Sequence, residues 1–171
     1  MFGLLLVCYV LMSADRYHIS ILAPDIRAAL GLSLPQMGAL TTLFTLGIGI
    51  AGLPAGSLIA RYSRKAVLLA GIVLFSAATY LFTVATSLLG MVVFVVMQDI
   101  GMSFLATGMF TLAASYFANN RVAAVGMVNV CFGIGSFVGP WAIGDIRGSS
   151  GNWETPPLVF AACGIALAIL V

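Results

Sequence analysis

The sequence has little charge. Only 7% of its 171 residues are Asp, Glu, Lys or Arg, whereas 62% are hydrophobic. Water-soluble domains carry about a quarter charged residues, so this composition excludes a chain that is mainly water-soluble. The formal net charge of +2 is small and the basic residues are dispersed, and we therefore expect no nucleic-acid partner. Lipid must be the solvent for most of the chain.

Reactive side chains are also scarce. Cys8, Cys131 and Cys163 stand singly in apolar segments, with no CxxC pair, and we interpret them as small helix-packing residues. The sequence contains no nucleophile–base set, metal cluster or phosphate-binding loop. We therefore expect no enzymatic activity, no metal site and no cofactor. A cleavable signal peptide is not predicted either, because the first apolar run lacks a basic n-region and is too long.

Long apolar runs make up most of what is present. A membrane-spanning helix needs about 20 apolar residues, and the sequence divides at about that length six times. We predict spans at residues 2–22, 37–59, 66–86, 88–117, 122–144 and 157–171. The longest loops lie at 23–36 and 145–156, and the first of them has room for one or two interfacial helical turns.

Lys and Arg residues are distributed unevenly between the predicted loops. One side of the membrane collects Arg61, Arg64, Lys65 and Arg121, and the other side has only Arg27 and Arg147. Because cytoplasmic loops carry an excess of Lys and Arg, the loops at 60–65 and 118–121 are predicted to be cytoplasmic. The N-terminus is then cytoplasmic too, and we expect the chain to reside in a plasma membrane or inner membrane.

An internal repeat is visible at an offset of 86 residues. The residues Gly47, Gly49 and Pro54 recur in order as Gly133, Gly135 and Pro140. Because the offset spans three helices, the two copies are predicted to face opposite ways, as in the inverted three-plus-three repeats of transporters. Residues 1–87 are then helices one to three, and 88–171 are helices four to six. Glycine and proline are common in membrane helices, so a chance match stays open as the alternative.

The first and fourth predicted spans carry the residues with the most marked polar chemistry: Asp15, Arg16 and His18 in the first, and Gln98 and Asp99 in the fourth. A charge at the bilayer centre costs at least about 2.5–3.5 kcal/mol, so we predict that these residues line a substrate or proton pathway. Asp15 or Asp99 can carry a proton, and Arg16 can clamp an anion. At about 1.5 Å per residue, the two carboxyls lie within one helical turn in depth, which allows contact.

Each of these residues also has a purely structural interpretation. Asp15 and Arg16 can form a pair that neutralises itself and only holds helices together. His18, which shares a helix face with Asp15, can be a partly hydrated residue near the external interface of the membrane. Gln98 can serve as an interhelical hydrogen-bonding residue.

The loop at residues 56–65 reads Gly-Ser-Leu-Ile-Ala-Arg-Tyr-Ser-Arg-Lys and lies between the second and third predicted helices. It resembles the loop motif Gly-x-x-x-Asp-Arg-x-Gly-Arg-Arg/Lys of the major facilitator superfamily. The matching residues are Gly56, Arg61, Arg64 and Lys65. The resemblance implies that they act in a cytoplasmic gate, although Ala60 replaces the Asp that latches this gate in the family, and Ser63 replaces a Gly.

The fifth predicted helix contains Gly135, Gly139 and Pro140. This pattern resembles the Gly-x-x-x-Gly-Pro motif of the fifth helix in many superfamily members, especially antiporters. The two glycines are one turn apart and permit close approach of a neighbouring helix, and the proline can bend its own helix. Ordinary small-residue packing explains the pattern as well, so it does not decide the direction of transport. Residues 22–33 and 153–156 also resemble family segments, so the likeness covers the whole chain in order.

The resemblance implies an all-α integral membrane fold, namely the N-terminal six-helix half of a family whose members normally have twelve helices. Helices one and four are then expected to line the central cavity. The implied function is secondary active transport of a small organic solute by alternating access. Arg16 favours an anion such as a carboxylate as the substrate, with proton coupling through Asp99 or Asp15. A drug–proton antiporter and a non-transporting scaffold or sensor stay open as alternatives.

The expected partners are the small-molecule substrate, protons, the lipid bilayer and a second six-helix half. The last predicted span has only 15 residues, which is short for a crossing, so we expect the chain to be a fragment whose C-terminal half is missing. A half-size transporter that dimerises is the alternative.

Overall fold

The computed structural model describes residues 2–170, and within them every regular element is helical. The α-helices are α1 (Phe2–Asp15), α2 (His18–Ile21), α3 (Ala23–Leu30), α4 (Leu34–Arg61), α5 (Arg64–Thr83), α6 (Leu88–Tyr116), α7 (Arg121–Ser150) and α8 (Thr155–Leu170). Five segments are long and apolar enough to cross a membrane, namely Phe2–Ile21 and helices α4 to α7, and α8 is a shorter apolar helix. The prediction of an all-α membrane protein with six apolar helical segments is therefore confirmed.

Local sequence signals explain where the long helices begin and end. The N-terminal residues of α4, α5 and α6 are capped by the side chains of Ser33, Ser63 and Ser87. At α4 the cap is reciprocal, because the Gln36 side chain also accepts a hydrogen bond from the Ser33 backbone at 2.8 Å. Helices α3 and α7 each stop at a glycine in the left-handed region, Gly31 (φ 62°) and Gly151 (φ 71°).

The first span is not the continuous helix that the sequence predicts for residues 2–22. It breaks at Arg16 and Tyr17, which form a turn between α1 and α2. The backbone N–H of Arg16 still reaches four residues back to Met12, but that of Tyr17 reaches only three, to the Ala14 carbonyl at 3.4 Å. The chain therefore tightens directly after Asp15, in the middle of the residues with functional chemistry.

The connections at residues 23–36 and 145–156 are more ordered than the sequence predicts. The expected helical turns at 23–36 are present as the eight-residue helix α3. The predicted loop at 145–156 is wrong in its first half, because α7 continues to Ser150. A bidentate ion pair accounts for this order, since Arg147 donates to both carboxylate oxygens of Asp25 at 2.9 and 2.7 Å and joins α7 to α3. These hydrogen bonds hold the pKa of Asp25 below its usual value.

Most of the long helices pack against helices that are distant in sequence. Helix α1 lies against α7, α4 lies against α6, and α5 lies against both α6 and α8. Paired glycines allow α5 and α6 to approach closely, because a Cβ on Gly101 would lie 2.6 Å from the Phe75 nitrogen and 2.8 Å from the Gly71 oxygen. The division into repeats at 1–87 and 88–171 stays a prediction.

Two apolar clusters fill the bundle, one towards each end. The first contains Met12 of α1, Phe75 of α5 and Met102 of α6. The second contains Ile19 of the first span, Phe82 of α5 and Val95 of α6. Between the clusters, each of the three segments carries buried polar residues. The core is therefore interrupted by a polar layer at mid-depth.

Candidate functional site

The polar layer is built from side chains that are almost fully withdrawn from the surface. Its buried members are Ser13, Asp15 and His18 of the first span, Ser76 and Thr79 of α5, and Gln98, Asp99 and Ser103 of α6. Burying such groups is costly unless they find partners, so their pairing shows what the layer can do. Four of the five residues predicted for a substrate or proton pathway belong to this set, and Arg16 lies beside it.

Asp15 is the centre of a compact hydrogen-bonded group. Its Oδ2 accepts from the Thr79 hydroxyl at 3.1 Å and from the Gln98 amide at 2.9 Å. The Gln98 amide nitrogen also lies 3.0 Å from the Thr79 oxygen. These three residues come from α1, α5 and α6 and are fully buried. Two convergent donors can stabilise a negative charge on Asp15 inside the bundle.

His18 closes the other side of this group. Its Nδ1 lies 2.5 Å from the Asp15 backbone carbonyl and 3.5 Å from Oδ1 of the Asp15 carboxylate. Because a carbonyl oxygen only accepts, Nδ1 carries the hydrogen in this contact. The ring lies edge-on to Phe82 and Phe44, with centroid distances of 5.2 and 6.5 Å. His18 is therefore enclosed in the core and is not partly hydrated at a membrane interface.

Asp99 lies at a similar depth but belongs to a different environment. It packs against Gly47 of α4, where a Cβ would overlap the carboxylate. Neither of its oxygens has a hydrogen-bond partner among residues 2–170. Asp99 lines a groove of about 740 Å³ between α4 and α6, whose other lining residues are mostly large and apolar, such as Leu46, Ile50 and Phe104. The two carboxyls whose depth allows contact therefore do not share hydrogen-bonding partners.

Arg16 is half-buried beside the break in the first span. Its guanidinium lies over the Phe132 ring of α7, 5.9 Å from the centroid. No carboxylate oxygen in the described chain lies within 4.0 Å of it, so Asp15 and Arg16 do not form the self-neutralising pair considered above. Arg16 is thus a cation held by an aromatic ring rather than by an acid.

Gly135 and Gly139 place α7 directly against α1. A Cβ on Gly135 would overlap the Ser13 hydroxyl, and one on Gly139 would lie 2.5 Å from the Ala14 oxygen and 2.6 Å from its Cα. The two contacts end one residue before Asp15. Helix α7 continues through Pro140. The glycines therefore fix the position of the segment that carries Asp15 and Arg16.

The residues of the loop motif at 56–65 lie at the surface, outside the polar layer. Arg61, Arg64 and Lys65 are exposed, and so is Gly56, where a Cβ would meet open space. Arg64 donates to the Ser115 hydroxyl at 2.6 Å and so ties the start of α5 to the end of α6. The loop thus joins two helices of the bundle while keeping most of its charge at the surface.

Sequence reasoning missed Thr79 and the neighbouring Ser76. Both are fully buried on α5, a helix without charged residues after Lys65. The available signal was two hydroxyl residues three apart, on one helix face, in an otherwise apolar segment. Hydroxyl residues are common in membrane helices, so this signal alone does not identify a site. Across the described chain, no cluster of three or more His, Cys, Asp or Glu side chains can hold a metal ion.

A bundle of apolar helices with ionisable side chains at mid-depth is the architecture of membrane transport proteins. The sequence profile of the Major Facilitator Superfamily matches residues 5–171, and the chain belongs to this family. The predicted family and the predicted half-bundle fold are confirmed. No curated protein matches the sequence.

Two solved structures with this fold come from a bacterial homolog to the human lysosomal transporter Spinster. The inward-facing, occupied form gives a TM-score of 0.85 at 21% identity. The inward-facing, unoccupied form gives 0.83 at 22% identity. Each covers 99% of this chain, but this chain spans only 42% and 41% of theirs. At this identity the likeness establishes the fold, and the family and these neighbours are transporters rather than enzymes.

Proposed function

We propose that this chain is the N-terminal half of a secondary active transporter that moves a small organic solute by alternating access. It works against a second six-helix bundle, supplied by the same protein or by a dimer partner. Family membership, the half-length likeness to solved transporters and the polar layer at mid-depth support this proposal. A non-transporting scaffold or sensor gives no reason to keep so many buried polar groups in one layer.

Protons are the proposed coupling ion, and Asp15 is the proposed carrier. A carrier must be stable both with and without its proton. For the charged form, Asp15 has the donors Thr79 and Gln98. For the neutral form, the Thr79 oxygen 3.1 Å from the Asp15 Oδ2 can accept the carboxyl hydrogen, because a hydroxyl both donates and accepts. The presence of hydrogen-bond partners for both the charged and the neutral form of Asp15 is the observation that carries the proposal.

Arg16 is the proposed substrate-recognition residue. A guanidinium presents a planar fork of donors that matches a carboxylate, and it keeps its charge at every physiological pH. Arg16 has no acid partner within ion-pairing distance in the described chain, so it has capacity for an anionic ligand. Its contact with the Phe132 ring, 5.9 Å from Cζ to the centroid, leaves the charge without an acid partner. An organic anion such as a carboxylate is therefore the favoured substrate.

A second candidate is a drug–proton antiporter, which the groove at Asp99 favours. A buried carboxylate without partners must either carry a proton or be neutralised by a cation. The groove of about 740 Å³ around Asp99 is mostly apolar, which suits the body of an amphiphilic cation. In this alternative Asp99 rather than Arg16 meets the substrate.

Transport by the full-length protein in proteoliposomes tests both candidates. With a proton gradient, the anion proposal expects uptake of organic carboxylates that Arg16→Ala abolishes and Arg16→Lys reduces about tenfold, because Lys lacks the fork. Asp99→Asn should leave that uptake within about threefold, since Asp99 has no hydrogen-bond partner in the described chain that the change would remove. If Arg16→Ala is silent and Asp99→Asn abolishes export of a lipophilic cation, the antiporter is correct. If neither variant changes the transport of any solute tested, the proposed roles of Arg16 and Asp99 are both wrong.

We also propose that the N-terminus and the loop at 60–65 are cytoplasmic. Orientation is measurable with single cysteines at Ser63 and Asn152 in a background that lacks the exposed Cys163. A membrane-impermeant maleimide added to whole cells should label the cysteine at 152 and not the one at 63. The opposite pattern overturns the orientation.

The gating role of the loop motif and the inverted repeat are proposals as well. Arg61 and Lys65 keep their charges exposed at the proposed cytoplasmic end, where a second bundle can meet them. For the repeat, the support is a pair of similar contacts between the two halves, Asp99 against Gly47 and Ser13 against Gly135. Positions 13 and 99 differ by 86 residues, the offset of the glycine motif, whereas the two contacted glycines are 88 residues apart and occupy different places in that motif.

A further inference from the structure

Thr79 has a hydroxyl with more acceptors than it can serve. Its oxygen lies 3.1 Å from the Asp15 Oδ2 and 3.0 Å from the Phe75 carbonyl oxygen. Both contacts are buried, and neither acceptor can donate while Asp15 is charged. A hydroxyl has a single hydrogen and two lone pairs, so Thr79 donates to one of the two acceptors at a time.

The third neighbour of this hydroxyl defines its other role. The Gln98 amide nitrogen lies 3.0 Å from the Thr79 oxygen and 2.9 Å from the Asp15 Oδ2. It can donate to either oxygen and leaves the Thr79 hydrogen uncommitted. Thr79 can therefore rotate its hydrogen between Asp15 and Phe75 without losing its contact with Gln98.

We propose that Thr79 is a positioning residue whose hydroxyl reverses direction when Asp15 gains or loses its proton. This inference rests on the proposed proton coupling through Asp15. With Asp15 charged, the hydroxyl donates to its Oδ2. With Asp15 protonated, the carboxyl O–H donates to the Thr79 oxygen, and the Thr79 hydrogen turns to the Phe75 carbonyl.

The hydrogen-bond count balances in both states. In the charged state Asp15 accepts from Thr79 and from Gln98. In the protonated state Asp15 donates one hydrogen, Thr79 accepts it and passes its own to Phe75, and Gln98 still donates to Thr79. The only species added is the coupled proton. No buried donor of the group loses its acceptor in either state, so the switch avoids the cost of an unsatisfied polar group.

The surroundings of Asp15 leave Thr79 as the adjustable donor. From its own span, His18 faces Asp15, but its Nδ1 is engaged with the backbone carbonyl of residue 15 at 2.5 Å. Arg16 is next in the chain and lies over an aromatic ring. On α6, Asp99 follows Gln98 and faces Gly47 instead. Within the described chain, α5 and α7 place no ionisable group within bonding distance of Asp15.

The test uses three variants of the full-length protein. Thr79→Val replaces the hydroxyl by a methyl of similar volume, and Thr79→Ser keeps the hydroxyl. Ser76→Ala is the matched control, because Ser76 is equally buried one turn away and its hydroxyl has no partner in the described chain. Unfolding in sodium dodecyl sulfate verifies that each variant is folded before it is compared.

The main readout is infrared titration of the protonated Asp15 carboxyl in lipid, assigned by its loss in Asp15→Asn. In Thr79→Val the carboxyl band should persist to a pH about one unit higher, a tenfold change, because the charged form loses a charge-assisted donor whereas the protonated form loses only a weaker neutral acceptor. Thr79→Ser and Ser76→Ala should titrate like the wild type. The pH profile of transport should move with the band.

The possible outcomes separate this inference from the proposed function. If the Asp15 band titrates but Thr79→Val leaves its pH unchanged, the role of Thr79 is wrong and proton coupling stands. If Thr79→Ser shifts the band as far as Thr79→Val does, the hydroxyl is not the cause and the inference also fails. If Asp15→Asn removes no pH-dependent band, Asp15 takes up no proton, and both proposals fall.

Discussion

The contact between α7 and α1 at Gly139 gives a sharp prediction for stability. In Gly139→Ala the new Cβ would lie 2.5 Å from the Ala14 oxygen and 2.6 Å from the Ala14 Cα. These distances are about 1 Å short of ordinary van der Waals contact. Both atoms belong to the backbone, so no side chain can turn aside and the two helices must separate. The matched control is Gly133→Ala on the same helix, where the added Cβ meets nothing within 4 Å.

The two substitutions are expected to change the free energy of unfolding in opposite directions. Replacing a helical glycine by alanine stabilises by about 0.5–1 kcal/mol where space is available, which is the expectation for Gly133→Ala. At Gly139 the same gain is opposed by overpacking, which costs about 1–3 kcal/mol and more where backbone must move. The Gly139→Ala protein should therefore be less stable than the wild type, and about 1–3 kcal/mol less stable than Gly133→Ala.

Unfolding in mixed micelles of increasing sodium dodecyl sulfate content measures this difference. Circular dichroism reports helix loss, and thiol labelling of the buried Cys8 and Cys131 reports loss of packing, in a background without the exposed Cys163. If the two alanine variants unfold together, close packing of α7 on α1 is not a stabilising contact. The account of the glycine motif as a packing device is then refuted.

Two further predictions follow from single contacts. Asp25→Asn should abolish an acid-range loss of stability, because Arg147 holds the pKa of Asp25 below its usual value. The Asp25–Arg147 pair therefore stabilises the fold at pH values above the usual pKa of Asp25. This stabilisation is lost as the pH falls through the lowered pKa, and melting curves from about pH 6 to 3 detect the loss. Parallel curves for the wild type and Asp25→Asn contradict this prediction. Gly47→Ala should displace the Asp99 side chain and raise the labelling of Asp99 by a lipophilic carbodiimide several-fold. Gly49→Ala is the control, because its Cβ meets open space, and it should be labelled like the wild type. Equal labelling in all three proteins contradicts the Gly47–Asp99 contact.

The fold was largely predictable from the sequence because membrane spans depend on length and hydropathy. The break at Arg16 and Tyr17 was not, since the apolar run continues across it to Leu22 and neither residue is a helix breaker. The extension of α7 to Ser150 was missed for the opposite reason, because residues 145–150 are polar and resemble a loop. Their helical order depends on the pair that Arg147 forms with Asp25, 122 residues away in sequence, and such a contact has no local signature.

The site was predictable in its membership and not in its pairing. The cost of placing charge in lipid identifies Asp15 and Asp99 as unusual, and the rise per residue gives their depth. Neither argument says which way each helix is rotated. Gln98 and Asp99 are adjacent, so their side chains point about 100° apart, and the rotation of α6 gives Gln98 to Asp15 and leaves Asp99 to α4. Thr79 was missed because an uncharged hydroxyl does not stand out until its neighbour is known.

The rotation of the two polar pairs bears on how the proposed ligands can be coupled. On the first span Asp15 faces the bundle interior while Arg16 lies on a partly open face, and on α6 Gln98 is interior while Asp99 lines a groove. Coupling requires that both ligands bias one structural element with two arrangements. Here the interior and outer groups are consecutive residues of the same backbone, so a change that reorients Asp15 necessarily moves Arg16. Under the proposed function, the turn at Arg16 and Tyr17 is the element that we expect to change its arrangement, because it separates α1 from α2 directly after Asp15. A proton inside the bundle and a substrate outside it can therefore be linked without ever touching the same side chain.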